Sequence, residues 1–350
     1  MSKYNIDLDY LIPNIDISWD EINDIKAEAD KIISENKGSK KNLAMAYLKR
    51  AQIKRKGAGG QTCGYIFYED PACRFIIAKD KKEFKNLIGK AMELIPDMPE
   101  ALMQLGLFNA PELSFGDYNK AIKFYDKAIQ LKPDYAAAFN NRAMLFYYSG
   151  VFDDENDKVK EKTKINIRNA VADLTEAIKI RPFDTLYHLN RATFYSKLGE
   201  HKKAIEDFSN AIKYASDALR DRLYTEILIF NLRGKEYTEL KDFDKAIDDF
   251  SETLHLKQEY DDAYLTRKKG ILELKDDDKL VDEFYESLRS FSNYDETLLL
   301  RGKAFYLAGE KDKAKADIDE YLNRKHNAAE TAGRSKILKI VGVKPEDIMN

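Results

Sequence analysis

The chain has 350 residues, of which 34% are charged and 44% hydrophobic; 58 Lys plus Arg face 61 Asp plus Glu, for a net charge of -3. A nucleic-acid binder usually carries a basic excess, and no apolar run approaches the roughly 18 residues a bilayer span needs, so neither nucleic acid nor membrane insertion is expected. Cys63 and Cys73 are the only cysteines, which argues against a disulfide framework and for a reducing, cytoplasmic setting.

Residues 1–17 contain Asp7, Asp9, Asn14 and Asp16 without a continuous apolar core, so they read as a flexible leader and not as a signal peptide. Ser18 with Glu21 forms a capping-box signature. Ile22, Ile25, Ala29, Ile32 and Ile33 follow at helical spacing, so residues 18–41 are expected to form an N-terminal capping helix.

From residue 42 to 324 a two-landmark pattern recurs seven times. The first landmark is small in six of the seven cases: Ala51, Gly106, Ala143, Ala192, Gly234, Lys268 and Gly302. The second is Phe84, Ala121, Ala170, Ala204, Ala246, Leu280 and Ala314. Second to next first is 22 residues in five of six cases, and first to second is 12 in the last four units, a period of 34. The units fall near 42–96, 97–133, 134–182, 183–216, 217–258, 259–292 and 293–324. Each is expected to be a helix pair, here called helix A and helix B. Pro96, Pro133 and Pro182 stand just past helix B, where proline cannot continue a helix. The sixth unit is degenerate, with Lys268 in the small-residue place and Asp276, Asp277 and Asp278 at its turn. Ile337, Leu338, Ile340 and Val341, stopped by Gly342 and Pro345, mark a C-terminal capping helix within 325–350.

Insertions interrupt the period. Between Ala51 and Phe84 there is an excess of 21 residues, between Ala143 and Ala170 of 15, and between Gly106 and Ala121 of 3. All three lie in turns joining helix A to helix B. An excess of 8 between Ala204 and Gly234 falls in a link from B to A, around Leu219, Leu223 and Ile227. In the first insertion Tyr65, Ile66, Phe67 and Tyr68 and then Phe75, Ile76 and Ile77 flank Asp70-Pro71, which predicts a short β-hairpin within 57–78. Residues 153–164 are mixed in charge and read as a solvated loop or helix extension.

Reaction chemistry has little support. Gly57, Gly59, Gly60 and Gly64 are not followed by the Lys-Ser/Thr of a phosphate loop. His188, His201, His255 and His326 are scattered, and Cys63 and Cys73 lie ten apart, unlike the clustered ligands of a metal site. No catalytic, cofactor or metal residue is assigned. The stretch from Lys37 to Lys56 holds Lys40, Lys41, Lys49, Arg50, Lys54, Arg55 and no acid. It reads either as a solvated helix face or as the seat of an acidic partner segment.

The landmark residues carry a family resemblance. Tyr187, Ala192, Tyr195, Gly199, Ala204, Phe208 and Ala211 of the fourth unit all fall on tetratricopeptide-repeat positions, and the chain resembles that family over residues 42–324. The resemblance implies an all-α, right-handed superhelical solenoid whose helix A residues line an inner groove for a protein or extended peptide. Carried over, it names Lys49, Gln52 and Lys56; Asn140, Asn141, Tyr147 and Tyr148; Asn190, Thr193 and Lys197; Asn231 and Lys235; Lys303 and Tyr306. Asparagine amides both donate and accept, which suits an extended backbone. The carboxylate clamp of heat-shock-chaperone binders needs lysine at position five of helix A. Leu48, Met103, Asn140, Leu189, Asn231, Leu265 and Leu299 stand there, so that clamp is not expected. A non-enzymatic scaffold or adaptor is the leading reading. A ligand-responsive sensor, a chaperone-like holder and an enzyme carried by the first insertion are the alternatives.

Overall fold

Small residues every 34 positions allow two helices to approach closely, and the aromatic residues that follow fill the space between pairs. A computed structural model of the chain describes residues 19–35, 39–57, 78–109, 118–151, 157–215, 222–274 and 294–324. Regular structure among them is entirely helical: α1 (Trp19–Glu35), α2 (Lys40–Gly57), α3 (Ala78–Leu94), α4 (Pro99–Asn109), α5 (Tyr118–Leu131), α6 (Ala136–Val151), α7 (Asp157–Ile180), α8 (Thr185–Lys197), α9 (His201–Tyr214), α10 (Arg222–Glu239), α11 (Phe243–Leu274), α12 (Tyr294–Leu307) and α13 (Lys311–Arg324). The expected hairpin, the leader and the C-terminal cap lie outside the described residues. Residues 157–164 of the mixed-charge insertion are helical and extend α7 toward its N-terminus.

Two compact bodies result, Met1–Phe194 with Ser216–Arg220, and Tyr195–Ala215 with Asp221–Asn350. In the first, α2–α3, α4–α5 and α6–α7 are antiparallel pairs. Ala44, Leu48 and Ala51 of α2 meet Phe84, Ile88 and Ala91 of α3 in one buried cluster. Leu102, Met103, Ala121, Tyr125 and Ala128 form a second buried cluster across α4–α5. Tyr125 is 1% exposed, and burying a side chain of that size contributes about 2–3 kcal/mol. The glycine landmark makes this possible, because a Cβ on Gly106 would lie 2.4 Å from the Tyr125 ring.

In the second body the turns from A to B share one construction. Gly199 (φ 73), Lys241 (φ 61) and Gly309 (φ 88) are left-handed. Glu200, Asp242 and Glu310 donate their backbone N–H to Tyr195, Tyr237 and Phe305 carbonyls at 2.9, 2.9 and 2.8 Å. These six-residue closures satisfy carbonyls the helix end would leave bare.

One helix departs from the period. α11 continues without a break past residues 258–259, where the fifth unit was expected to end. The first three units end Ile95-Pro96-Asp97, Lys132-Pro133-Asp134 and Arg181-Pro182-Phe183, whereas the fourth has Ser216 and the fifth Gln258 at the proline place. Without proline no backbone donor is removed at residue 258, which permits the continuation but does not compel it, since α9 ends at Tyr214 without a proline.

Asp184 caps α8. Its Oδ1 accepts from the backbone N–H of Leu186 at 3.1 Å and of Tyr187 at 3.4 Å. Burial pushes its carboxyl above the ordinary value, against those hydrogen bonds. A carboxyl raised in the folded state contributes stability that is complete below its unfolded pKa and is lost as pH rises through its folded pKa. Asp184→Asn, which keeps the cap without the buried charge, is therefore expected to match or exceed the parent at pH 7, with the gap closing as pH falls. Asp184→Ala loses the cap and about 1 kcal/mol. Urea unfolding of both variants at pH 7 and pH 4 checks the pair.

Candidate functional site

The faces of the A helices are where the resemblance places a partner, and each body presents its own. In the first body the asparagines are engaged with one another. Asn190 Nδ2 donates to Asn140 Oδ1 at 2.8 Å, Asn140 Nδ2 to Asn141 Oδ1 at 3.1 Å, and Asn141 Nδ2 approaches Met103 Sδ at 3.8 Å. This amide chain ties α4, α6 and α8 together. Asn190 is 2% exposed, so its amide serves the fold. The Thr193 hydroxyl donates to the Leu189 carbonyl of its own helix at 3.0 Å. Asn141 and Tyr147 are half-buried at the surface of α6. The Tyr147 ring packs on Phe194, centroids 5.1 Å apart, and burial pushes its phenol upward.

The basic stretch is partly neutralised from within. Lys49 Nζ lies 3.9 Å from Glu28 and Arg50 Nε 2.6 Å from Asp30, both carboxylates of α1. The N-terminal helix thus serves as an acidic partner to α2, and fewer of these charges face outward than their number suggests. The side chains of Gln52, Lys56 and Tyr148 lie outside the described residues.

In the second body Lys197 is exposed, while Lys235, Lys303 and Tyr306 are partly so. Lys235 pairs with Glu296 at 3.0 Å across largely exposed side chains, a contact worth under about 1 kcal/mol. Asn231 is buried and its Nδ2 donates to Thr297 Oγ1 at 2.7 Å. Glu236, also buried, joins two neighbours: it accepts from Ser196 Oγ at 2.6 Å and lies 2.7 Å from His201 Nδ1.

A second polar network runs behind these faces. Arg142 is bidentate to Asp173 at 2.8 and 2.6 Å, Arg233 to Asp249 at 2.8 and 2.7 Å, and Arg301 to Asp317 at 2.8 and 2.6 Å. Each pair binds helix A to helix B of one unit. The remaining guanidinium nitrogen, Nη1, reaches a neighbouring unit: Arg142 to Asp126 at 2.7 Å, Arg191 to Thr175 at 3.2 Å, Arg233 to Ser209 at 3.0 Å. Burial raises the Asp173 and Asp249 carboxyls even against their arginines. The aspartates in turn offset the burial cost of Arg142 and Arg233, whose pKa values are raised on balance. The landmark pattern alone overlooks this network, although its signal is in the sequence. Arginine stands one residue before the first landmark at Arg50, Arg142, Arg191, Arg233, Arg267 and Arg301, and aspartate three past the second at Asp173, Asp207, Asp249 and Asp317.

Among the described residues no helix is long and apolar enough to cross a membrane. No three His, Cys, Asp or Glu side chains gather there as metal ligands would.

Residues 113–150 match the family model described as TPR repeat, and residues 187–217 match that described as Tetratricopeptide repeat. No curated protein sequence matches the chain. Among solved structures, the APC/C hetero-tetramer Cut9–Hcn1 is 16% identical with a TM-score of 0.50, over 92% of this chain and 46% of that one. YrrB, described as a TPR protein with an unusual peptide-binding site, is 13% identical at TM-score 0.48 over 72% of this chain and 97% of its own. MamA is 14% identical at TM-score 0.46 over 67% and 94%. At such identities the likeness concerns the fold alone. With helix pairs recurring at the repeat period, and family-model matches falling on α5–α6 and on α8–α9, the chain carries tetratricopeptide repeats.

Proposed function

We propose that this protein is a non-enzymatic scaffold that holds a segment of a partner protein against the exposed faces of its A helices. Stacked helix pairs present long surfaces for such contacts. The observation that carries the reading is the division of labour among the A-helix side chains. Asn140, Asn190, Asn231 and Thr193 are buried and bonded within the fold, while Lys197 is exposed and Asn141 and Tyr147 in the first body and Lys235, Lys303 and Tyr306 in the second are partly accessible. With three lysines, the second body suits an acidic segment.

The test begins with a partner captured from the native host and continues by calorimetric titration. Lys197→Ala with Lys303→Ala should weaken binding roughly 5- to 150-fold, for two lost contacts of about 0.5–1.5 kcal/mol each. The loss should shrink near 1 M salt, where screening removes most of the attraction. Asn190→Ala serves as a folding control and should lower stability. Unchanged affinity in the lysine double variant would remove this face of the second body from the account.

A further inference from the structure

Arg301 breaks the order of the arginine network. In the third, fourth and fifth units Nη1 donates to the residue five past the second landmark of the unit immediately before: Asp126, Thr175 and Ser209. Arg301, in the seventh unit, makes the same contact at 3.3 Å with Ser251, which holds that place in the fifth. Other contacts agree. Asn231 of α10 bonds Thr297 of α12 at 2.7 Å, and Lys235 bonds Glu296 at 3.0 Å. Ala304 shares a cluster with Ala246 and Phe250, and Ile247 packs against Phe305, Ala314, Ile318 and Leu322.

We infer that α12–α13 stacks directly on the α10–α11 pair as the next unit after the fifth, although one repeat length of sequence separates the two. The inner face then runs straight from α10 to α12 and brings Lys235 and Lys303 onto adjacent helices. The inference does not depend on the scaffold reading.

The sequence of the sixth unit departs from the residues that make these stacking contacts. Where the first landmark is glycine, an added Cβ would lie 2.4 Å from Tyr125, 2.7 Å from Phe250 and 3.2 Å from Ile318. These residues stand four past the second landmark; in the sixth unit the sequence has Phe284 at that place and Lys268 at the first landmark. Glu283 also replaces the aspartate, and Tyr285 the small acceptor that Arg301 would need. The seventh unit keeps Gly302, Arg301 and Asp317, and Arg301 and Asp317 make the contacts seen in the other units.

Two experiments on the full chain decide it. In a Cys63→Ser, Cys73→Ser background, Asn231→Cys with Thr297→Cys should be joined within one molecule by a bis-maleimide of about 10 Å span, the spacing of neighbouring helices; an intervening helix pair would roughly double that distance. Deleting residues 261–294 with Gln258→Pro leaves four residues between Leu256 and Asp295, as between Leu131 and Ala136. That variant should melt within about 3 °C of the parent, whereas deleting residues 183–216, a stacked unit of the same length, should lower the midpoint clearly more. Absence of the crosslink in a chain whose two thiols both label singly overturns the inference. So does a fall in midpoint as large as that of the control deletion.

Discussion

Asp249→Ala is expected to lower the stability of the second body by about 3 kcal/mol, among the largest losses from any single truncation there. The carboxylate is 4% exposed and receives two guanidinium hydrogen bonds from Arg233. Removing it leaves a largely buried cation without its partner, which costs roughly 3–5 kcal/mol when burial is complete. The partial exposure of Arg233, 17%, puts the expectation at the lower end. The paired replacement Arg233→Met with Asp249→Leu removes both charges together and should recover most of the loss, since apolar pairs of similar volume often replace buried ion pairs without penalty. Urea unfolding of the single and double variants measures the difference. A single variant within about 0.5 kcal/mol of the parent would show that the network follows the packing instead of holding it.

The second large effect concerns glycine. Gly106→Ala should destabilise the first body by about 2 kcal/mol, although alanine favours a helix by about 1 kcal/mol over glycine. The new methyl group would sit 2.4 Å from the Tyr125 ring, and that ring is 1% exposed with no free space to enter; overpacking of this kind costs about 1–3 kcal/mol or more. Gly89→Ala in α3 is the matching control. Nothing lies within 4 Å of its added Cβ, so the propensity gain should appear alone, as stabilisation of about 0.5–1 kcal/mol. Thermal unfolding of both variants reads the two signs directly. Two glycines of one helical body would then differ in sign solely because one faces the partner helix.

The helix pairs were legible in the sequence because their cause is local and periodic. Small residues such as Ala192 and Ala204 recur where helices touch, prolines such as Pro133 and Pro182 end helix B, and neither signal depends on distant contacts. The extra length of α11 was not legible, for Gln258 stands at the proline position but so does Ser216 in the fourth unit, where α9 ends at Tyr214. The roles of the A-helix polar residues were not. Asn141 and Asn190 hold the same repeat position, yet Asn190 is buried under a hydrogen bond to Asn140 while Asn141 stays near the surface. An amide's partner is set by whatever stands about 3 Å away, and no spacing rule carries that information across 50 residues.

Lys49 and Arg50 make the same point with charge, since Glu28 and Asp30 lie on another helix. Sequence alone determined that this chain folds as repeated helix pairs, because helix formation and close approach are dictated by residue type at short range. Tertiary structure decided which units are neighbours and which polar groups are consumed within the fold. Only there do Ser251 and Arg301 meet, and the energy of a polar contact depends on distances that the order of residues does not encode.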